Sequence, residues 1–139
     1  MLRAAFLSLT LILMAAPPTV AQENQRTRYN ENRAEFDAMV QARRMGDAMQ
    51  YLLGEAAVPV EEAGKFNDQV ANYYSSDFIG TATVRSEALK DGFRHEMLAY
   101  WNEERQYLYV YVVLHTIDNV QRTVSVTYDS DFADIIALF

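Results

Sequence analysis

The chain has 139 residues, half of them apolar and 22% charged, with 19 acidic against 12 basic side chains, a formal net charge of −7 and no cysteine. That balance belongs to a globular domain rather than a disordered chain. The acidity disfavours nucleic acid and anionic membrane surfaces as partners, and the missing thiols exclude disulfides and thiol redox chemistry.

Met1-Leu2-Arg3 leads into an apolar run from Ala4 to Ala16 broken only by Ser8 and Thr10, and then into Pro17-Pro18-Thr19-Val20-Ala21. This is the layout of a secretory signal peptide cleaved after Ala21. The run falls short of the roughly 20 apolar residues that a membrane-crossing helix needs, so no membrane span is expected. Cleavage would leave a periplasmic or secreted protein, more acidic still because Arg3 leaves with the leader. Residues 22–31 are polar and aperiodic and read as a mobile arm. Residues 32–139 suffice for a single α+β domain but not for two cores.

Asn32 and Glu35 have the spacing of a capping box, and Phe36, Met39, Val40 and Met45 recur at helical intervals, predicting a first helix over 32–45. Arg43 and Arg44 suit its negative end and Gly46 a left-handed cap. Met49, Leu52 and Leu53 predict a short second helix ending at Gly54. Pro59, Glu61 and Glu62 open a third, with Ala63, Phe66, Val70, Tyr73 and Tyr74 on one face. Phe78 to Val84 reads as extended, with a bulge at Gly80. From Ser86 to Trp101 two readings compete. Asp91-Gly92 is good hairpin-turn material, but Leu89, Phe93, Met97 and Trp101 repeat every four residues in a stretch without β-branched residues, and propensity there predicts a helix. Tyr107 to Ile117 and Thr123 to Tyr128 are rich in aromatic and β-branched residues and flank Asp118-Asn119, so they predict an antiparallel hairpin with a central first strand. Ala133 to Phe139 is either a last strand or a helical turn.

Helices first and strands later predict an α+β domain, with N-terminal helices packed on one face of a small antiparallel sheet. The opening of helix, Gly46-Asp47 and helix over Arg43 to Leu53, taken with the late hairpin, resembles the cone-shaped domains of the nuclear-transport-factor-2-like superfamily, of cystatin-like shape. That resemblance implies a sheet curled around a pocket; it implies no particular activity.

Chemistry-bearing motifs are sparse. His95-Glu96-Met97-Leu98-Ala99 begins like the zinc-protease helix but has Ala99 where the second ligand is required. Asp129, Asp131 and Asp134 lack the alternating ligands of a calcium loop and read as a turn and helix cap. No metal or other cofactor is implied. Alternation along the predicted strand separates an aliphatic face of Leu108, Val110, Val112 and Leu114, expected to pack on the helices carrying Phe36, Met49 and Phe66, from a face of Tyr107, Tyr109, Tyr111 and His115. The second face, with Trp101 at its rim, is the candidate ligand-binding surface, because these side chains pair an apolar body with a polar tip. The expected function is a small exported binding or accessory protein that engages an apolar or amphipathic ligand, or an envelope protein, through its sheet. The alternatives are an interaction module of the inhibitor or immunity type and an enzyme using His115 as a general base with a carboxylate. A deep pocket beside the tyrosines would favour a ligand or a reaction, and a filled sheet with an exposed apolar edge a protein partner.

Overall fold

The computed structural model describes residues 25–139; the expected leader and cleavage site lie outside the described residues. Three helices come first, α1 (Gln25–Gln41), α2 (Met45–Leu53) and α3 (Val60–Tyr73). Four strands follow, β1 (Gly80–Ala88), β2 (Phe93–Trp101), β3 (Tyr107–Ile117) and β4 (Val120–Asp129), and α4 (Phe132–Ile136) closes the chain. The strands form an open antiparallel sheet in the order β1-β2-β3-β4. The architecture is the expected α+β one, with the helices N-terminal to the sheet.

Helix α1 starts at Gln25, inside the stretch read as an arm, and stops at Gln41 rather than Met45. The residue that takes the left-handed conformation is Arg43, at φ +59°, not Gly46. Side-chain bonding offsets that strain: Arg43 Nε donates to Asp77 Oδ1 at 2.7 Å, and Nη1 donates to the Tyr74 carbonyl at 3.0 Å. Gly46 instead sits in the first turn of α2, where α2 crosses α3 so closely that a Cβ would lie 1.9 Å from the Ala63 carbonyl oxygen. Asn67 of α3 supplies the missing cap from outside the helix, its Oδ1 accepting from the Gly46 and Asp47 amides at 2.8 and 3.2 Å.

The expected helix over 86–101 is absent: the segment holds the end of β1, a tight turn and all of β2. Asp91 and Gly92 both have positive φ, as a two-residue hairpin turn requires. A spacing of four does not separate the two structures, because residues four apart share a face in a strand as well as in a helix. Tertiary pairing decides, since β2 lies between β1 and β3 and is buried from His95 to Tyr100.

The later hairpin forms as predicted. Asp118 and Asn119 make its turn with positive φ, although β4 begins at Val120, ahead of Thr123. Leu108, Val110, Val112 and Leu114 are all buried in one core with Phe36, Val40, Met45, Met49 and Val70, and Phe66 packs against it. Each such burial contributes about 1.5–3 kcal/mol. The other sheet face carries α4, which packs across β3 and β4 and buries Ile135. Of the two readings of the last segment, the helical turn holds. Asp131 caps it, accepting from the Ala133 amide at 2.8 Å.

Candidate binding cleft between α1 and the sheet

A cleft of about 50 Å³ opens where α1 crosses the helix-facing side of the sheet. Phe36 of α1, Leu52 of α2, Leu98 of β2, and Val112 and Leu114 of β3 make an apolar floor. Tyr29, Arg33 and Glu96 form one wall, while Asn32, Gln121, Arg122 and Thr123 surround the mouth. Space of this size holds a few waters, or the apolar end of a larger molecule whose remainder stays at the mouth.

The polar wall is a connected network between α1 and the sheet. Glu96 is only 6% exposed. Its Oε1 accepts from Ser86 Oγ at 2.9 Å, the Tyr29 hydroxyl donates a short hydrogen bond to Oε2, and Arg33 Nη1 stands 3.8 Å from the same oxygen. Arg33 Nε also donates to Asp37 Oδ1 at 2.7 Å, and Tyr100 donates to that oxygen at 2.5 Å. Burial, then the bond to Glu96, pushes the Tyr29 phenol up to about 12. Burial and the Asp37 charge push Tyr100 well above the ordinary phenol range. Burial opposes the charge on Arg33, but the bond to Asp37, with Tyr100 and Tyr29 beside it, outweighs that and the guanidinium stays protonated. With each ionised group already bonded, the wall orients and rigidifies more readily than it exchanges protons.

The residues expected to form the site sit on the far side of the sheet, and none of Trp101, Tyr107, Tyr109, Tyr111 and His115 lines this cleft. Trp101, Tyr107 and Tyr109 do come together: the Tyr107 and Tyr109 rings stack with centroids 5.9 Å apart, Trp101 lies 6.2 Å from Tyr107, and Tyr109 meets Phe132 edge-on at 5.4 Å. Tyr111 bonds His95 Nδ1 at 3.1 Å and packs against Phe139. His95 Nε2 stands 3.2 Å from Glu87 Oε2, and Phe139 covers its ring at 4.1 Å. The C-terminal segment thus covers the middle of this face. His115 lies eight residues along the strand from Tyr107, roughly 27 Å away. Its Nε2 is bonded to the Asp91 carbonyl at 3.1 Å and its ring stacks on Phe93 at 3.8 Å, so it has no carboxylate partner among the described residues to support a general-base role.

His95 and Glu96 are neighbours on a strand and point to opposite sheet faces, which dissolves the helical zinc motif. Among the described residues, no group of three or more His, Asp or Glu side chains could hold a metal ion. The residues that sequence reasoning missed are Tyr29, Arg33 and Glu96. Arg33 and Asp37 were visible as an i,i+4 pair on a helix. Glu96 could be placed on the buried face only once its segment was known to be a strand.

Compared with protein-family models, curated proteins and solved structures, the chain matches none. The structure supports a small α+β fold with its helices N-terminal to the sheet, and no residue's role is carried over from the cone-shaped domains.

Proposed function

We propose that the chain is exported, loses its leader after Ala21, and acts as a small binding protein whose cleft takes the apolar end of an amphipathic small molecule. One observation carries this reading: a floor of Phe36, Leu52, Leu98, Val112 and Leu114 stands beside a fixed polar wall of Tyr29, Arg33 and Glu96. Binding sites combine a mostly apolar lining with a few placed polar groups in this way. Arg122, Gln121 and Asn32 at the mouth suit a polar or anionic head. This cleft lies on the helix side of the sheet; on the tyrosine side, Tyr109 packs against Phe132 and Tyr111 against Phe139.

The experiment is a titration of the full chain with the dye 1-anilinonaphthalene-8-sulfonate. Its fluorescence should rise saturably, and Leu52→Trp, which fills the cleft from a half-buried position, should weaken binding about tenfold or more while the fold survives. A signal unchanged in the variant would overturn the reading.

The protein-partner reading has one specific observation in its favour. Leu89, Ile117 and Val120 are exposed together at the hairpin ends of the sheet, where the Thr116 amide donates to the Gly92 carbonyl at 3.0 Å and joins the two turns. An apolar tip of this kind suits a protein contact.

A further inference from the structure

At the end of the sheet away from those turns, the last turn of α3 and the end of β4 enclose a second, larger cleft of about 200 Å³, lined chiefly by Tyr73, Tyr74, Tyr128, Gln69 and Asp129. Tyr74 is 3% exposed and its hydroxyl donates to the Tyr107 carbonyl at 2.7 Å; the Tyr128 hydroxyl donates to Gln69 Oε1 at 2.9 Å. Two of the three phenols are thus tied to protein groups, and the ring surface open to the space belongs chiefly to Tyr73 and Tyr128, with the buried Tyr74 behind them. Tyr73 meets Tyr74 edge-on at 4.9 Å and is itself 64% exposed, so much of its ring faces solvent at the cleft.

The cleft is also electronegative. Asp129 Oδ1 accepts from the Asp131 amide at 2.8 Å, and among the described residues no basic side chain pairs with it. Arg43, which reaches the backbone of Tyr74, is committed to Asp77 at 2.7 Å. Burial raises the Tyr74 phenol above its ordinary range, and Tyr73, Asp129 and Tyr109 add to the rise. Burial itself disfavours a charge of either sign, so what favours a cation at the cleft is the carboxylate of Asp129, the one acid in its lining.

We propose that this cleft binds a small free cation carrying a quaternary or permethylated ammonium group. Aromatic faces attract a cation through their quadrupole, and the attraction is strongest for cations that shed water easily. Methylated ammonium groups do so and also bury their methyls against the rings. Sodium and ammonium ions hold their water and gain little. Asp129 supplies the countercharge, and the net negative charge of the chain raises the local concentration of any cation. This proposal stands apart from the cleft beside α1, which shares none of these residues.

The test is an NMR titration of the tyrosine ring resonances of the full chain with tetramethylammonium chloride, against sodium chloride at matched ionic strength. Tyr73, Tyr74 and Tyr128 should shift saturably with the organic cation alone. Tyr73→Leu should weaken binding roughly fivefold or more and Tyr73→Phe should preserve it, in line with a ring–cation contact; the exposure of Tyr73 keeps both variants folded. Asp129→Asn should weaken binding as well. Equal shifts with sodium, or wild-type affinity in Tyr73→Leu, would overturn the proposal. So would binding to phosphatidylcholine vesicles without binding of free tetramethylammonium.

Discussion

Tyr29, Tyr74 and Tyr100 show what the interior does to a phenol. Tyr74 and Tyr100 are buried and Tyr29 is partly buried, each with its hydroxyl donating to a fixed acceptor, a carboxylate for Tyr29 and Tyr100 and a carbonyl for Tyr74. Ionisation would remove the donated proton and place a new negative charge beside an oxygen that already carries one, or in a site with little water. The folded pKa of all three therefore lies above the unfolded value of 10.0, at about 12 for Tyr29 and displaced upward for the others. A raised folded value means that the folded state holds the proton longer. The stability tied to these groups is complete below pH 10 and is lost as pH rises from there through the folded values. Burial also raises Tyr109, Tyr111 and Tyr128, so an ultraviolet tyrosine titration should show at least Tyr29, Tyr74 and Tyr100 of the nine tyrosines largely silent in the native protein at about pH 11, appearing only as the chain unfolds. Nine tyrosines titrating together near pH 10 would contradict the burial of this network. None of this was legible beforehand, because the acceptors Asp37 and Glu96 lie more than sixty residues from their partners and nothing local marks them.

At the scale of elements, what the sequence revealed followed from how many structures each pattern permits. Tyr107 to Ile117 allowed only one, since it is dense in β-branched and aromatic residues and is followed by a two-residue turn, and β3 matched it. Ser86 to Trp101 allowed two, and local propensity selected the helix while strand pairing in the folded chain selected the hairpin. Gly46 was recognised as special for the wrong reason. Its role is close approach of α2 to α3 against Ala63, with the left-handed turn displaced to Arg43. The two glycines of this helical pair should respond in opposite directions. Gly46→Ala drives a methyl into the Ala63 backbone and should destabilise the protein by about 3 kcal/mol in chemical denaturation. Gly64→Ala, in the middle of α3 with nothing within 4 Å of the added carbon, should stabilise it by about 0.5–1 kcal/mol. Equal effects of the two would mean that α2 and α3 do not cross as described.

For the molecule as a whole, the sheet is open and leaves both β1 and β4 as edges. Each edge is interrupted at an exposed valine: the register of β1 shifts around Val84, and β4 passes from Ser125 to Thr123 opposite Val113 and Leu114, leaving Val124 unpaired. A bulge in the middle of an edge strand breaks the row of free amides and carbonyls that another strand would need. Association through strand addition is thereby discouraged, which leaves the clefts and the apolar hairpin tip as the surfaces available for recognition. The architecture could be read from the order of patterns along the chain. The position of the binding cleft could not, because it depends on where α1 crosses the sheet, and α1 begins in a stretch too polar to announce itself as a helix. A ligand site between α1 and the sheet is tested by native mass spectrometry of the protein purified from the envelope of its own host, wild type beside Leu52→Trp. The wild-type chain should begin at Gln22 and carry a small molecule that the variant has lost. A bare wild-type chain, or a ligand retained equally by the variant, would contradict a binding site between α1 and the sheet.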